Sequence, residues 1–126
     1  MNTFHATTNK TSKQLGDEAE DKALAFLRHQ GCRLLVRNYR TPGRGGGEID
    51  LIVRDPEDTV VFVEVRRRKN ARQGGALASI GLDKRQRIVY AAQHYLRAWG
   101  QWPPCRFDVV VVQAGELQWL KAAFTA

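Results

Sequence analysis

The sequence has few cysteines and no long apolar run. The first argues against a cysteine-based metal site, and the second argues against a membrane-spanning segment. Its two cysteines, Cys32 and Cys105, are far apart, and no Cys-x-x-Cys pair or Cys/His cluster accompanies them. This pattern argues against a structural zinc site and is typical of reduced thiols in the cytosol. Residues 1–13 lack the apolar core of a signal peptide, and no apolar stretch approaches the ~20 residues that span a bilayer. We therefore expect a soluble, cytoplasmic protein without a membrane partner.

Acidic residues are in the minority. The chain has 13 Asp and Glu against 20 Lys and Arg, which gives a formal net charge of +7. A basic surplus favours polyanionic partners, of which nucleic acid is the commonest. The alternative is a basic surface that serves solubility alone, because net charge by itself does not establish a function.

The length and composition predict one globular domain. With 126 residues, 43% of them hydrophobic, the chain can form a single core without disulfides. Residues 1–12 are polar and predict a disordered leader, so we expect the domain to span residues 13–126. The periodicity of apolar residues and the positions of turn residues predict the order helix, three strands, helix, and one or two strands. The predicted helices cover residues 14–30 and 83–99, and the predicted strands cover residues 32–39, 48–54, 59–67, 107–112 and 117–120.

The central hairpin carries acidic residues in a suggestive pattern. If its turn is centred on Glu57, then Asp50 lies opposite Glu64, and Glu48 lies opposite Arg66. Alternation along the strands puts these last four on one face. The other face then carries apolar residues only, namely Ile49, Leu51, Val61, Val63 and Val65.

Two carboxylates directly across a β-ladder repel each other, and something must offset that cost. A divalent cation such as Mg²⁺ does so, because hard cations take carboxylate oxygens as ligands. The alternative is a solvated hairpin face on which Glu48 and Arg66 form a surface ion pair of little energetic value. A register slip of one residue would remove the argument for a metal.

Two further acidic residues lie in apolar surroundings. Glu20 has only apolar neighbours at helical spacing, namely Ala23, Leu24 and Leu27. A buried carboxylate requires a partner, although a first-turn glutamate interacting with the helix dipole is the alternative. Asp108 lies within an apolar strand, where we expect a structural role in bonding a loop backbone or an arginine.

Several short motifs, taken in order, resemble the YraN family of small bacterial proteins. The resemblance covers the chain from about residue 14 to 112. Its N-terminal motifs are Gly16-x3-Glu20-x2-Ala23-x3-Leu27-x3-Gly31, Arg37-Asn38-Tyr39-Arg40 and Gly47-Glu48-Ile49-Asp50-Leu51-Ile52. The later motifs are Phe62-Val63-Glu64-Val65-Arg66-x-Arg68, Lys84 with Ala91-Ala92 and Leu96, and Arg106-Phe107-Asp108.

That family in turn resembles the PD-(D/E)xK nuclease superfamily, which includes the archaeal Holliday-junction resolvases. The resemblance implies an α/β fold with a restriction-endonuclease-like αβββαβ core, a mixed β-sheet flanked by two main helices. It also implies that Asp50, Glu64 and Glu20 hold Mg²⁺ or Mn²⁺. Many members of the superfamily act as dimers, so a homodimer is compatible with the resemblance.

The chain departs from the superfamily pattern at one position, because Arg66 stands where the pattern has lysine. A lysine can help to deprotonate the attacking water, whereas arginine stays protonated and can only hold a water or stabilise charge on the phosphorane. The resemblance implies a Mg²⁺-dependent endonuclease acting on structured DNA, with Glu20, Asp50, Glu64 and Arg66 as catalytic residues. The departure leaves open a non-catalytic DNA-binding module or an adaptor in a DNA-processing assembly.

Basic residues cluster near these acidic positions. Lysine and arginine there would contact phosphates without reading base sequence, although solvated basic loops are the alternative. The aromatic residues are few and mostly assigned to the core, so a platform that stacks single-stranded bases is not favoured. The predicted nucleic-acid-binding residues are Arg40, Arg44, Arg67, Arg68, Lys69, Arg72, Lys84, Arg85 and Arg87.

Overall fold

The residues that the structure describes form two helices and five strands. The computed structural model of the protein describes residues 9–68 and 80–126. In chain order the elements are α1 (Ser12–His29), β1 (Arg33–Arg40), β2 (Glu48–Arg54), β3 (Val60–Arg67), α2 (Leu82–Leu96), β4 (Cys105–Gln113) and β5 (Glu116–Phe124). Within the described ranges, neither helix is long and apolar enough to cross a membrane.

The five strands form one mixed sheet in the order β1-β2-β3-β4-β5. Neighbouring strands are antiparallel except β3 and β4, which are parallel. Parallel neighbours need a long crossover connection, and α2 lies in the segment that joins these two strands. The predicted α/β class and the mixed sheet flanked by two helices are therefore confirmed. The last strand is longer than the sequence pattern indicated, because β5 pairs with β4 along most of its length.

Each face of the sheet is covered by one helix, and the chain therefore has two apolar layers. The α1 face buries Ala23 and Leu27 against Leu51 and Val63. The α2 face buries a second cluster that includes Ile52, Phe62, Ile88, Ala91 and Phe107. Strands β2 and β3 are buried on both faces, which explains why their sequences are nearly continuous runs of Val, Ile and Leu.

The hairpin between β2 and β3 is closed by Asp55. Its Oδ1 accepts hydrogen bonds from the backbone N–H groups of Glu57 and Thr59, each at 2.9 Å. Such an aspartate turn replaces backbone hydrogen bonds with side-chain ones and defines the turn geometry. The other carboxylate oxygen, Oδ2, lies 3.3 Å from Nη1 of Arg106 on β4. The turn is thereby tied to the neighbouring strand.

Asp108 is fully buried and completely satisfied by hydrogen bonds. Its carboxylate accepts from Nε and Nη2 of Arg106 at 2.8 and 3.0 Å. It also accepts from Nε1 of Trp119 and from the backbone N–H of Ala122, both at 2.9 Å. Asp108 therefore joins β4 to β5 in the structural role that the sequence predicted, bonding both an arginine and a backbone.

We expect Asp108→Ala to lower the free energy of unfolding by about 2 kcal/mol or more, because it leaves the partly buried Arg106 guanidinium and the Trp119 and Ala122 N–H groups without their acceptor. Urea denaturation followed by circular dichroism measures the change. The control is Glu57→Ala at an exposed turn position, which we expect to shift stability by no more than about 0.5 kcal/mol. Equal effects of the two substitutions would contradict the structural role of Asp108.

Candidate metal centre

Asp50 and Glu64 meet where the β2–β3 ladder ends. The observed partners Leu51↔Val63 and Ile52↔Phe62 confirm the predicted register. Beyond the first of these pairs, Oδ2 of Asp50 accepts a hydrogen bond from the backbone N–H of Val65 at 2.8 Å. A side chain here takes the place of a backbone carbonyl, and the last ladder pair between β2 and β3 is Leu51↔Val63.

The two carboxylates are withdrawn from solvent to different extents, since Glu64 is buried and Asp50 is partly buried. The side chain of Glu64 is only 6% exposed. Burial, and then the negative charge of Glu64, raise the pKa of Asp50 from its ordinary 3.8 to about 8. The Val65 N–H lowers the pKa of Asp50 but does not offset the increase. Asp50 is therefore largely protonated at neutral pH while no cation is bound.

Two cations lie beside Glu64. Nζ of Lys84, on α2, is 2.8 Å from Oε2 of Glu64, and Nε of Arg66 is 3.9 Å from the same oxygen. Among the described residues, Nε of Arg66 has no hydrogen-bond partner. Lys84 was predicted as a phosphate contact, and its pairing with Glu64 was not. The available signal was its helical spacing from the buried Ile88, which directs Lys84 towards the sheet.

A glycine-rich loop forms one wall of the site. The backbone N–H of Gly47 donates to Oγ1 of the buried Thr41 at 2.8 Å, which closes the loop on itself. A Cβ at Gly47 would lie 2.0 Å from the backbone oxygen of Arg87 on α2. The loop backbone therefore packs directly on the helix, and only glycine fits there.

These elements enclose a polar cleft of about 440 Å³. Its walls come from the glycine-rich loop, the start of β2, β3 and the first turns of α2. The lining residues are Arg40, Thr41, Gly43, Gly46, Gly47, Glu48, Asp50, Glu64, Lys84, Arg87 and Ile88. The cleft thus combines a carboxylate pair with a basic rim.

Glu20, on α1, is paired with an arginine of β1 and is not among the residues that line the cleft. Its Oε1 is 3.2 Å from Nε of Arg37 on β1, whose Nη1 is 2.7 Å from Asp21. The charge of Glu20 contributes to the raised pKa of Asp50, but Glu20 does not line the cleft. In residues 9–68 and 80–126, no three His, Cys, Asp or Glu side chains are grouped closely enough to hold a metal ion. The partnership with Arg37 was not foreseen from the sequence.

Two predicted details of the hairpin are wrong. Glu48 pairs with Arg40 of the neighbouring β1, with 3.3 Å between Oε2 and Nε, and not with Arg66. Ile49 packs in the α2 cluster, although alternation placed it on the opposite face. Both differences have one cause, because regular alternation ends with the last ladder pair, Leu51↔Val63.

The predicted basic residues separate into groups. Arg40, Lys84 and Arg87 line the cleft, whereas the loop residue Arg44 is not among its lining residues. Arg85 turns away, since its Nε donates to the backbone oxygen of Ile80 at 2.8 Å and its guanidinium lies over the Phe124 ring. Arg67 and Arg68 line a separate depression beside α1. Lys69 and Arg72 lie outside the described residues, as does most of the predicted leader.

The donor set fits a hard divalent cation. Asp50 and Glu64 offer carboxylate oxygens of the kind that Mg²⁺ and Mn²⁺ prefer. The raised pKa of Asp50 records an electrostatic cost that a cation would remove. The two residues present can therefore hold such an ion, with water completing its coordination.

Without a divalent cation, the stability of the protein should fall as pH rises from about 4 to about 8. The folded state keeps a proton on Asp50 in this range, which the unfolded chain has lost, so each unit of pH favours unfolding. Asp50→Asn cannot ionise, and we expect it to be more stable than the wild type at pH 8 by about 1 kcal/mol or more. Thermal unfolding in a chelator at several pH values measures both trends. The exposed Asp83→Asn serves as the control, and an unchanged pH slope in Asp50→Asn would contradict this assignment.

We expect Gly47→Ala to destabilise the protein by about 2 kcal/mol or more, because its Cβ collides with the backbone of α2. The matched control is Gly16→Ala in α1, where a Cβ meets nothing within 4 Å. This control should gain about 0.5–1 kcal/mol from the higher helix propensity of alanine. Denaturant unfolding of both variants tests the contrast, and a neutral Gly47→Ala would show that the loop does not pack as described.

Comparison with known proteins identifies the family. A model of the uncharacterised protein family UPF0102 matches residues 19–112. A UPF0102 protein of Albidiferax ferrireducens is 63% identical over 116 residues, covering 92% of this chain and 91% of the relative. Another, from Paracidovorax citrulli, is 60% identical over 121 residues, covering 96% and 90%. A third, from Cupriavidus taiwanensis, is 50% identical over 126 residues, covering 100% and 94%. The chain therefore belongs to the UPF0102 family, the YraN family that its motifs resemble.

Proposed function

We propose that the protein is a metal-dependent phosphodiesterase that cuts nucleic acid, with structured DNA as its substrate. The observation that supports this most is a pair of carboxylates, the partly buried Asp50 and the buried Glu64, that line a cleft together with basic residues. A structural carboxylate pair has no need of an open cleft, and a surface that only binds phosphates has no need of buried acids.

Asp50 and Glu64 are the residues that would hold Mg²⁺ or Mn²⁺. Such an ion, when bound, lowers the pKa of a coordinated water and polarises a phosphoryl oxygen. Asp50 would have to lose its proton to serve as a ligand, because carboxylates bind metals in the deprotonated form. Glu20, held by Arg37, would act on the site through its negative charge, which contributes to the raised pKa of Asp50.

The rim of the cleft supplies the contacts to the substrate. Arg40 and Arg87 contribute guanidinium groups that can bind phosphate oxygens in a bidentate manner. Arg66 lies beside Glu64, with its Nε 3.9 Å from Oε2, and its guanidinium can stabilise the negative charge that develops on the phosphoryl oxygens. These contacts read the backbone and not the bases, so the substrate is selected by its shape.

Cleavage of labelled branched, single-stranded and duplex DNA with Mg²⁺ or Mn²⁺ tests the proposal. We expect Asp50→Asn and Glu64→Gln each to lower the cleavage rate more than about 100-fold, a larger loss than removal of outer-shell partners causes. Asp83→Asn, at an exposed position on the same helix as Lys84, should keep the wild-type rate.

Two results would contradict the proposal that the protein is a phosphodiesterase. Binding of DNA that weakens with salt but never leads to cleavage would leave a non-catalytic binding module or adaptor. The lack of both cleavage and binding would show that the basic surface has another purpose.

A further inference from the structure

We propose that Lys84 and a divalent cation are alternative partners of Glu64, so that metal binding frees Lys84 to contact the substrate phosphate. The proposal rests on the proposed function, because it assumes that Glu64 is a metal ligand. It assigns Lys84 two partners in turn, and it predicts that metal and DNA strengthen each other's binding.

The position of Lys84 in α2 requires an explanation. Lys84 lies in the first turn of the helix, whose N-cap is Gly81 and has no side-chain cap bond. The positive end of the helix dipole disfavours a cation at this place. Its ammonium nevertheless lies 2.8 Å from Oε2 of Glu64. The attraction of one buried carboxylate therefore determines where this side chain lies.

Glu64 cannot keep all of its cations when a metal ion binds. Oε2 already has Nζ of Lys84 at 2.8 Å and Nε of Arg66 at 3.9 Å. A divalent ion on the same carboxylate would repel both. Arg66 belongs to β3 and is anchored in the sheet, whereas Lys84 has a flexible stem and a side chain that is 44% exposed. Lys84 is the partner that can leave at the lower cost.

The released ammonium remains in the cleft. Lys84 lines the same cleft as Arg40 and Arg87, so a phosphate bound there lies within reach of its flexible chain. In the metal-free protein the charge of Lys84 is neutralised by Glu64, and after metal binding it is available to the substrate. Two ligands that both favour the released state of Lys84 must bind with positive coupling.

The test compares metal binding in the wild type and in Lys84→Gln, which keeps a hydrogen-bond donor but removes the charge. Isothermal titration with Mn²⁺ should give a dissociation constant about tenfold lower for the variant, because the ion no longer displaces an ion pair. Arg87→Gln is the matched control, since Arg87 lines the same cleft but forms no ion pair with Glu64. Its Mn²⁺ affinity should stay within about twofold of the wild type, allowing for weak long-range charge effects.

The second arm measures coupling with duplex DNA in the presence and absence of Ca²⁺. In the wild type, Ca²⁺ should tighten DNA binding by more than it does in Lys84→Gln. If Lys84→Gln is unfolded without metal, the affinity of the variant for Mn²⁺ is measured instead from its refolding on addition of Mn²⁺, followed by circular dichroism. Failure of Mn²⁺ to refold it would count against the proposal.

The outcomes separate this proposal from the function on which it rests. Unchanged or weaker Mn²⁺ binding in Lys84→Gln, with Mn²⁺ still bound at Asp50 and Glu64, would overturn the exchange and leave the phosphodiesterase intact. If neither the wild type nor Lys84→Gln bound Mn²⁺, both the exchange of partners and the proposed metal-dependent function would be contradicted. Tighter binding in the variant, together with the lost coupling to DNA, would support the exchange of partners.

Discussion

The register of the β2–β3 hairpin is the constraint on which the rest of the structure depends. Asp55 accepts two backbone hydrogen bonds in the turn and leaves no freedom for a slip of one residue. That register carries Asp50 and Glu64 to the same end of the ladder, where the Val65 N–H bonds to a side chain. Arg106 ties the turn to Asp108, so the same network that stabilises the sheet also fixes the position of the carboxylate pair.

Placing two carboxylates close together and away from water is electrostatically unfavourable, and several neighbouring groups offset this energy. The pKa of Asp50 is raised, and Lys84 and Arg66 lie beside the carboxylate of Glu64. By contrast, the fully buried Asp108 accepts hydrogen bonds from Arg106, Trp119 and the backbone of Ala122. One aspartate is fully satisfied and serves the fold, whereas the other has a raised pKa, and a perturbed pKa of this kind is typical of functional sites.

The sequence was sufficient for the parts of the fold that follow from local periodicity and turn chemistry. It predicted both helices, the order of the elements, the hairpin register and the role of Asp108. It could not predict the break in alternation at Asp50, because that depends on a bond between a side chain and the backbone of another strand. The pairing of Glu20 with Arg37 and of Lys84 with Glu64 also depends on tertiary packing. Ion pairs between elements far apart in the chain leave no periodic signal.

The charge balance of the cleft indicates why arginine is tolerable at position 66. A lysine there and Lys84 would be two flexible ammonium groups competing for one buried carboxylate. Arg66 instead provides a permanent charge on a stiff, planar group, and its Nε stays near Glu64 without forming a hydrogen bond. Lys84 of α2 is the second cation beside Glu64, with Nζ 2.8 Å from Oε2. The carboxylate is thus approached by a rigid guanidinium from the sheet and by a flexible ammonium from the helix.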